Sequence, residues 1–352
     1  MQRRQFNQLL SLSGLAAWSG ISASVAIAAD KKAPNRAGVI RKPAALKTGD
    51  RIGLVLPASM AFEPADLDLA RAQIEAMGFS VVFGKHVRNK HGYFAGTDAE
   101  RAADINAMFA DERIDGIFCY AGGWGSPRLL PQLKFDVIAA NPKVFLGYSD
   151  ITALLNAISD RTGLITFHGP VAAAHIRPWT HERLQQVLMS TAAIGELGTP
   201  PKPDDELVNR SYRVQTLRGG RATGHLVGGN LSLVAALMGT PWQIDTRGAI
   251  LLLEDIDEAP YRVDRMLTQL ALGGAFDGVA GVVFGYCTEC EARGPSFSIG
   301  EVLRDRLQGL AVPVMSGFAF GHLKETHTLP IGLKAVMDAD KGTIAFVESA
   351  VR

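Results

Sequence analysis

The 352-residue chain is 47% hydrophobic and 20% charged, with 36 Lys and Arg against 35 Asp and Glu and a formal net charge of +1. This length predicts two domains with sizeable cores, and the balanced charge argues against a nucleic-acid or anionic-membrane binder, which would carry a basic surplus. Three cysteines, Cys119, Cys287 and Cys290, are too few for a disulfide-framework domain.

The chain opens with Arg3-Arg4-Gln5-Phe6, and no charged residue follows until Asp30. The neutral stretch is diluted by serines and glycines and ends in Ala26-Ile27-Ala28-Ala29, a spacing that suits a signal peptidase. Paired arginines before an aromatic residue and a weakly hydrophobic run resemble a twin-arginine export signal. Residues 1–29 are therefore read as a signal peptide, and the mature protein as periplasmic, without a stable membrane anchor. Residues 30–47, rich in Lys, Ala and Pro, read as a linker.

Short apolar runs at 51–57, 80–83, 117–120, 144–147 and 164–167 predict buried strands. Between them, 64–77 and 98–109 carry apolar residues at helical spacing. Strand and helix alternate, which predicts an N-terminal α/β domain over 48–177 with a mainly parallel sheet. The pattern weakens over 178–211, where Gly198-Thr199-Pro200-Pro201 punctuates it, and this stretch reads as the interdomain linker. Residues 212–350 predict a second α/β domain. It opens with a strand, a turn at Arg218-Gly219-Gly220-Arg221 and another strand. Helices at 231–238 and 261–272 and strands at 249–254, 279–284, 312–315 and 344–347 complete it.

The sharpest local signal is Gly147-Tyr148-Ser149-Asp150-Ile151, where a buried strand runs into Ser149 and a helix starts directly after it. A serine on such a turn stands at the carboxyl edge of the sheet, where backbone N–H groups at a helix start can stabilise an oxyanion. The motif approaches the G-x-S-x-G elbow, with Ile151 in place of the last glycine; a plain helix cap by Ser149 or Asp150 is the alternative. Ala121-Gly122-Gly123-Trp124-Gly125-Ser126 also comes after a strand and lets backbone N–H groups approach a ligand, or simply makes a tight turn. Glu254 and Asp255 end a strongly apolar strand, either facing a cleft or serving only as helix caps. Among eight histidines, His322 in Phe320-Gly321-His322-Leu323 has the best context for a base serving a serine; the alternative for it, as for His168, is a structural hydrogen-bonding histidine. Cys287-Thr288-Glu289-Cys290 lacks the second ligand pair of a zinc site; in an oxidising compartment the two cysteines can form a disulfide, and the sequence leaves open whether they do. No cluster has metal-ligand spacing, so neither a metal nor a cofactor is expected.

Taken together, Gly122-Gly123-Trp124-Gly125-Ser126, Gly147-Tyr148-Ser149-Asp150-Ile151-Thr152, Phe167-His168-Gly169-Pro170, Gly228-Gly229-Asn230-Leu231, Leu253-Glu254-Asp255 and Gly321-His322 resemble the LD-carboxypeptidases, serine peptidase family S66. The blocks occur in the family's order over nearly all of the mature chain. The resemblance implies an N-terminal domain like class I glutamine amidotransferases, a C-terminal domain of swivelling β/β/α type, and a homodimer. It also implies a murein tetrapeptide carboxypeptidase with a Ser149–Glu254–His322 triad. On that reading the backbone N–H groups of Asp150 and Gly123 are the oxyanion donors, Arg128 meets the substrate carboxylate, Arg265 either does so or simply pairs with Asp264, and Trp124 contacts substrate. Murein tetrapeptide or peptidoglycan fragments are the expected partners. The alternatives are a peptidase of the microcin C immunity type, which cleaves peptidyl-nucleotides, and a non-catalytic periplasmic peptide-binding protein.

Overall fold

The computed structural model describes residues 39–202, 207–209 and 211–352, so the expected signal peptide lies outside the described residues. The segment read as a linker is tied down from Arg41 onward. Arg41 bridges to Leu164, Ala45 donates its N–H to the Arg352 carbonyl, and Leu46, itself buried, donates to the Leu188 carbonyl.

Strands and helices then alternate: β1 (Arg51–Val55), α1 (Pro64–Ala76), β2 (Ser80–Phe83), α2 (Asp98–Ala110), β3 (Gly116–Cys119), α3 (Phe135–Ala140), β4 (Val144–Gly147), α4 (Thr152–Thr162) and β5 (Thr166–His168). These strands pair in parallel in the order β5-β4-β3-β1-β2. Every residue of β3 and β4 is buried, as expected for a parallel sheet covered on both faces. Thr97 starts α2 with a capping box: its hydroxyl accepts the Glu100 N–H, and the Glu100 carboxylate accepts the Thr97 N–H at 2.8 Å.

The stretch read as an interdomain linker holds α5 (Pro178–Leu188) and β6 (Gly195–Leu197). Thr180, Leu184, Val187 and Leu188 form the buried face of α5, a helical spacing that the surrounding polar residues disguise. The linker reading is corrected here, because Leu184, Val187 and Leu188 are part of the main core.

The remaining elements are β7 (Gln215–Arg218), β8 (Arg221–Asn230), α6 (Leu231–Ala236), β9 (Ala249–Ile256), α7 (Pro260–Leu272), β10 (Gly281–Thr288), α8 (Ile299–Leu307), β11 (Val314–Ser316), β12 (Leu329–Ile331), β13 (Lys334–Asp338) and β14 (Thr343–Phe346). Eight strands form a mixed sheet in the order β6-β14-β13-β8-β9-β10-β11-β7. Although a turn joins them, β7 and β8 do not pair: β7 runs antiparallel to β11, while β8 lies between β13 and β9. The sheet curls, because Thr216 in β7 donates to the Ala339 carbonyl at 2.6 Å, just beyond β13. β12 leaves this half and adds an antiparallel edge strand to the first sheet beside β5.

Side-chain alternation along β9 decides what each face does. Ile250 and Leu252 enter the large core shared with the first sheet, whereas Ala249, Leu251 and Leu253 enter a second core under α6 and α7. Glu254 continues the first face, and Asp255 the second.

Candidate active site

β4 delivers the chain to Ser149, which has φ of 62°, the left-handed region that non-glycine residues seldom occupy. Holding a serine there costs of the order of 1–3 kcal/mol and lifts its side chain off the strand path. Asp150 does not cap the following helix. Its carboxylate accepts the Ser126 N–H at 2.7 Å, and the Ser126 hydroxyl donates back to the Asp150 carbonyl. Burial pushes the Asp150 carboxyl up to about 6, against the lowering effect of those bonds. The glycine-rich loop is thereby stitched to the serine turn. A Cβ on Gly122 would stand 2.7 Å from the Ser149 Cβ and 3.3 Å from the Asp150 backbone nitrogen, so only glycine permits this approach. Gly123, with φ of 112°, packs instead against Ser59.

Glu254 is fully buried at the end of β9. Its Oε2 lies 2.7 Å from His322 Nδ1 and accepts the His322 backbone N–H at 3.3 Å. Gly321 makes this approach possible: its φ is 96°, and a Cβ there would fall 2.3 Å from Glu254 Oε2. Burial alone would lower the His322 pKa, but the charge and hydrogen bond of Glu254, with Asp255 behind, hold it above the ordinary imidazole value. Burial would likewise raise the Glu254 pKa, and the facing His322 outweighs it, keeping the glutamate ionised. With Nδ1–H directed at the carboxylate, Nε2 is left as the basic nitrogen.

Other groups around this pair did not stand out in the sequence as chemistry. Asn230, opposite Glu254 in the β8–β9 register, donates to Asp255 Oδ1 at 2.9 Å and to Glu254 Oε1 at 3.5 Å. Its own N–H donates to Thr152 Oγ1 at 3.0 Å, and its side-chain oxygen caps α6. The signal for it was Gly228-Gly229-Asn230-Leu231, a capping residue between a strand and a helix. The Tyr148 ring stands 4.7 Å from the His322 ring, and burial, then the Glu254 charge, push its hydroxyl up to about 12. His168 is fully buried with Nε2 3.9 Å from Glu254 Oε1, and its ring nitrogens have no hydrogen-bond partner among the described residues. Burial holds its pKa down at about 4, so it stays neutral.

The fold therefore gathers Glu254 and His322 into direct contact, with Tyr148, the residue before Ser149, against the imidazole. Ser149 and His322 are not hydrogen-bonded to each other in the described structure, as is common for a nucleophile and base without substrate. Trp124 is 66% exposed, its ring 6.0 Å from that of Tyr93. Arg128, expected at a substrate carboxylate, is instead engaged: its Nε donates to Asp98 at 2.9 Å and its guanidinium lies 4.9 Å over the Phe94 ring. Arg265 lies over Tyr261, and Asp264 pairs with Arg306 at 2.6 Å. Cys287 and Cys290 are joined in a disulfide, and Cys119 is free and buried. Among the described residues, no group of three His, Cys, Asp or Glu side chains is placed to hold a metal ion.

Residues 52–169 match the model of the LD-carboxypeptidase N-terminal domain, and residues 223–337 that of the LD-carboxypeptidase C-terminal domain. Over 320 residues the chain is 41% identical to a probable murein peptide carboxypeptidase of Bacillus subtilis, covering 88% of this chain and 95% of the relative. It is 32% identical to a murein tetrapeptide carboxypeptidase of Pseudomonas aeruginosa, covering 83% and 94% of the two chains. Among solved structures it resembles the microcin C7 self-immunity protein bound to glutamyl sulfamoyl guanosine, with a TM-score of 0.79, 31% identity, and 88% and 99% of the two chains covered. The muramoyltetrapeptide carboxypeptidase of Oxalobacter formigenes gives a TM-score of 0.72 at 28% identity, with 84% and 97% covered.

Proposed function

The chain belongs to the LD-carboxypeptidase family, and on that premise we propose how its residues share the removal of the terminal D-alanine from murein tetrapeptide stems. It is a serine carboxypeptidase acting on murein peptides. The observation that carries the division of roles is the buried Glu254–His322 contact of 2.7 Å, formed on the β9 face that looks toward the Ser149 sheet.

His322 Nε2 takes the Ser149 hydroxyl proton as Oγ attacks the scissile carbonyl. Glu254 fixes the imidazole tautomer and stabilises the imidazolium that forms. The oxyanion is met by the Asp150 N–H and a donor from the Gly122–Gly123 turn. The imidazolium returns its proton to the departing amine of D-alanine. Water, deprotonated by the same imidazole, then hydrolyses the acyl-serine. The exposed Trp124 ring is the substrate contact on the lip, whereas Asp98 holds Arg128 away from that duty.

The test is incubation of the protein with murein tetrapeptide and detection of free D-alanine by mass spectrometry. Release that vanishes in Ser149→Ala supports the assignment, and unchanged turnover in that variant removes Ser149 from the mechanism. A peptidyl-nucleotide in parallel assays distinguishes the microcin-type activity.

Location and assembly belong to the same proposal. Arg3-Arg4 and the Ala26–Ala29 exit support export by the twin-arginine route to the periplasm, where the sacculus presents the same stem peptide. Residues 1–35 fused to a folded reporter should be exported only when that translocase is present, and lysine at both arginines should stop it. The family resemblance supports a homodimer, which sedimentation of the purified protein checks.

A further inference from the structure

Apart from Ser149, two non-glycine residues among those described have positive φ, Asp257 at 52° and Glu289 at 57°, and both stand at one corner of the second sheet. Glu289 lies inside the four-residue loop that the Cys287–Cys290 disulfide closes. Asp257 is fastened to the same loop, donating its N–H to the Thr288 carbonyl at 2.8 Å. Here β9 and β10 resume pairing after a register shift, Cys287 opposite Asp255 and Thr288 opposite Ile256. The buried Cys290 Sγ accepts the Glu258 N–H at 3.4 Å. The bridge therefore clamps the chain immediately downstream of Glu254 to the end of β10.

From inside the clamped loop, Thr288 Oγ1 donates to the His322 carbonyl at 2.7 Å. His322 is thus held at Nδ1 and N–H by Glu254 and at its carbonyl by Thr288. Closing so short a loop removes little entropy from the unfolded chain, so the bridge acts mainly on local order.

We propose that Thr288 and the Cys287–Cys290 disulfide around it are positioning elements for His322, keeping its imidazole aligned between Glu254 and Ser149. The proposal rests on His322 being the base of the reaction. Cys287 is partly exposed, so a small dithiol can reach the bridge. The dithiol delivers two electrons and two protons, leaves two cysteine thiols, and closes to its own cyclic disulfide.

The experiment compares the oxidised protein with Thr288→Val, Thr288→Ser and the double variant Cys287→Ser/Cys290→Ser. Two readouts are used: kcat and KM on murein tetrapeptide, and the rate at which a fluorophosphonate labels Ser149, which needs the base but not the peptide. Thr288→Val and the double variant should lose about five- to tenfold in kcat and in labelling rate, with KM within about twofold. Thr288→Ser keeps the donor and should retain near-full activity. Dithiothreitol should slow the oxidised protein to the level of the double variant, leave the double variant unchanged, and be reversed by reoxidation. Equal labelling rates in Thr288→Val, or equal sensitivity of the double variant to dithiothreitol, overturn the proposal. Ser149 labelling that tracks this pattern without D-alanine release instead overturns the substrate reading and leaves the positioning role standing.

Discussion

Around Ser149, the shaping groups are mostly backbone: a positive φ, the Gly122 approach, and the Ser126–Asp150 bonds across a separation of 24 residues. Around Glu254 they are mostly side chains: Asn230, also at a separation of 24 residues, His168, and His322 at a separation of 68 residues. The Ser149 turn is a property of close backbone approaches, with a single buried carboxylate, Asp150, tying the glycine loop to it. The His322 imidazole is a property of buried charge, and a single proton or amide in place of the Glu254 carboxylate changes it.

Ser149→Ala should give the largest effect, a fall in kcat of at least about 10³-fold, because the turn survives but nothing attacks. Glu254→Gln should come next, with kcat down roughly 10²–10⁴-fold and KM little changed in steady-state assays of D-alanine release. Asp255→Asn should be milder, since Asp255 lies on the other face of β9, where it accepts the Ser232 N–H at 3.0 Å and its hydroxyl at 2.8 Å. If Asp255→Asn were the severe variant, the assignment of faces along β9 would be wrong.

The pH profile sharpens the contrast further. His322 must be neutral to accept a proton, and its pKa is held above the ordinary 6.5. The acid limb of kcat/KM should therefore lie above that value in the native protein and move to lower pH in Glu254→Gln, even as turnover falls. An unmoved limb would mean that the titrating group is not His322. Stability gives a smaller signal. Burial depresses His168 and His327 from 6.5 to about 4, so their contribution is complete above pH 6.5 and is lost as pH falls toward 4. The melting temperature should drop through that window, and less so in His327→Gln. Smallest of all, Arg128→Ala should change KM by no more than about threefold, because Asp98 and the Phe94 ring already engage the guanidinium.

The alternating strands of the first half and Ser149 were legible because both are local patterns, an apolar run and a strand-to-helix turn. α5 was missed because its buried face is only Thr180, Leu184, Val187 and Leu188 among polar neighbours. The failure of β7 and β8 to form a hairpin is not legible, since β7 pairs instead with β11, a strand far along the chain. Glu254 and His322 stand out locally, as the acid ending an apolar strand and a histidine in a glycine loop, but their pairing is given by the family resemblance alone; alternation along β9 carries the physical reason, and the second core shows which face is which. The engagement of Arg128 with Asp98 lies beyond sequence reading, because the two belong to different elements.

β12 has a consequence for biogenesis. Along Thr166–His168, the edge of the first sheet at β5 is covered by Leu329–Ile331, some of the last chain to leave the ribosome. Until then a parallel sheet with buried, apolar strands presents an open edge, the kind of surface that recruits other chains. A chain truncated before β12 should aggregate even though every strand from β1 to β5 is intact.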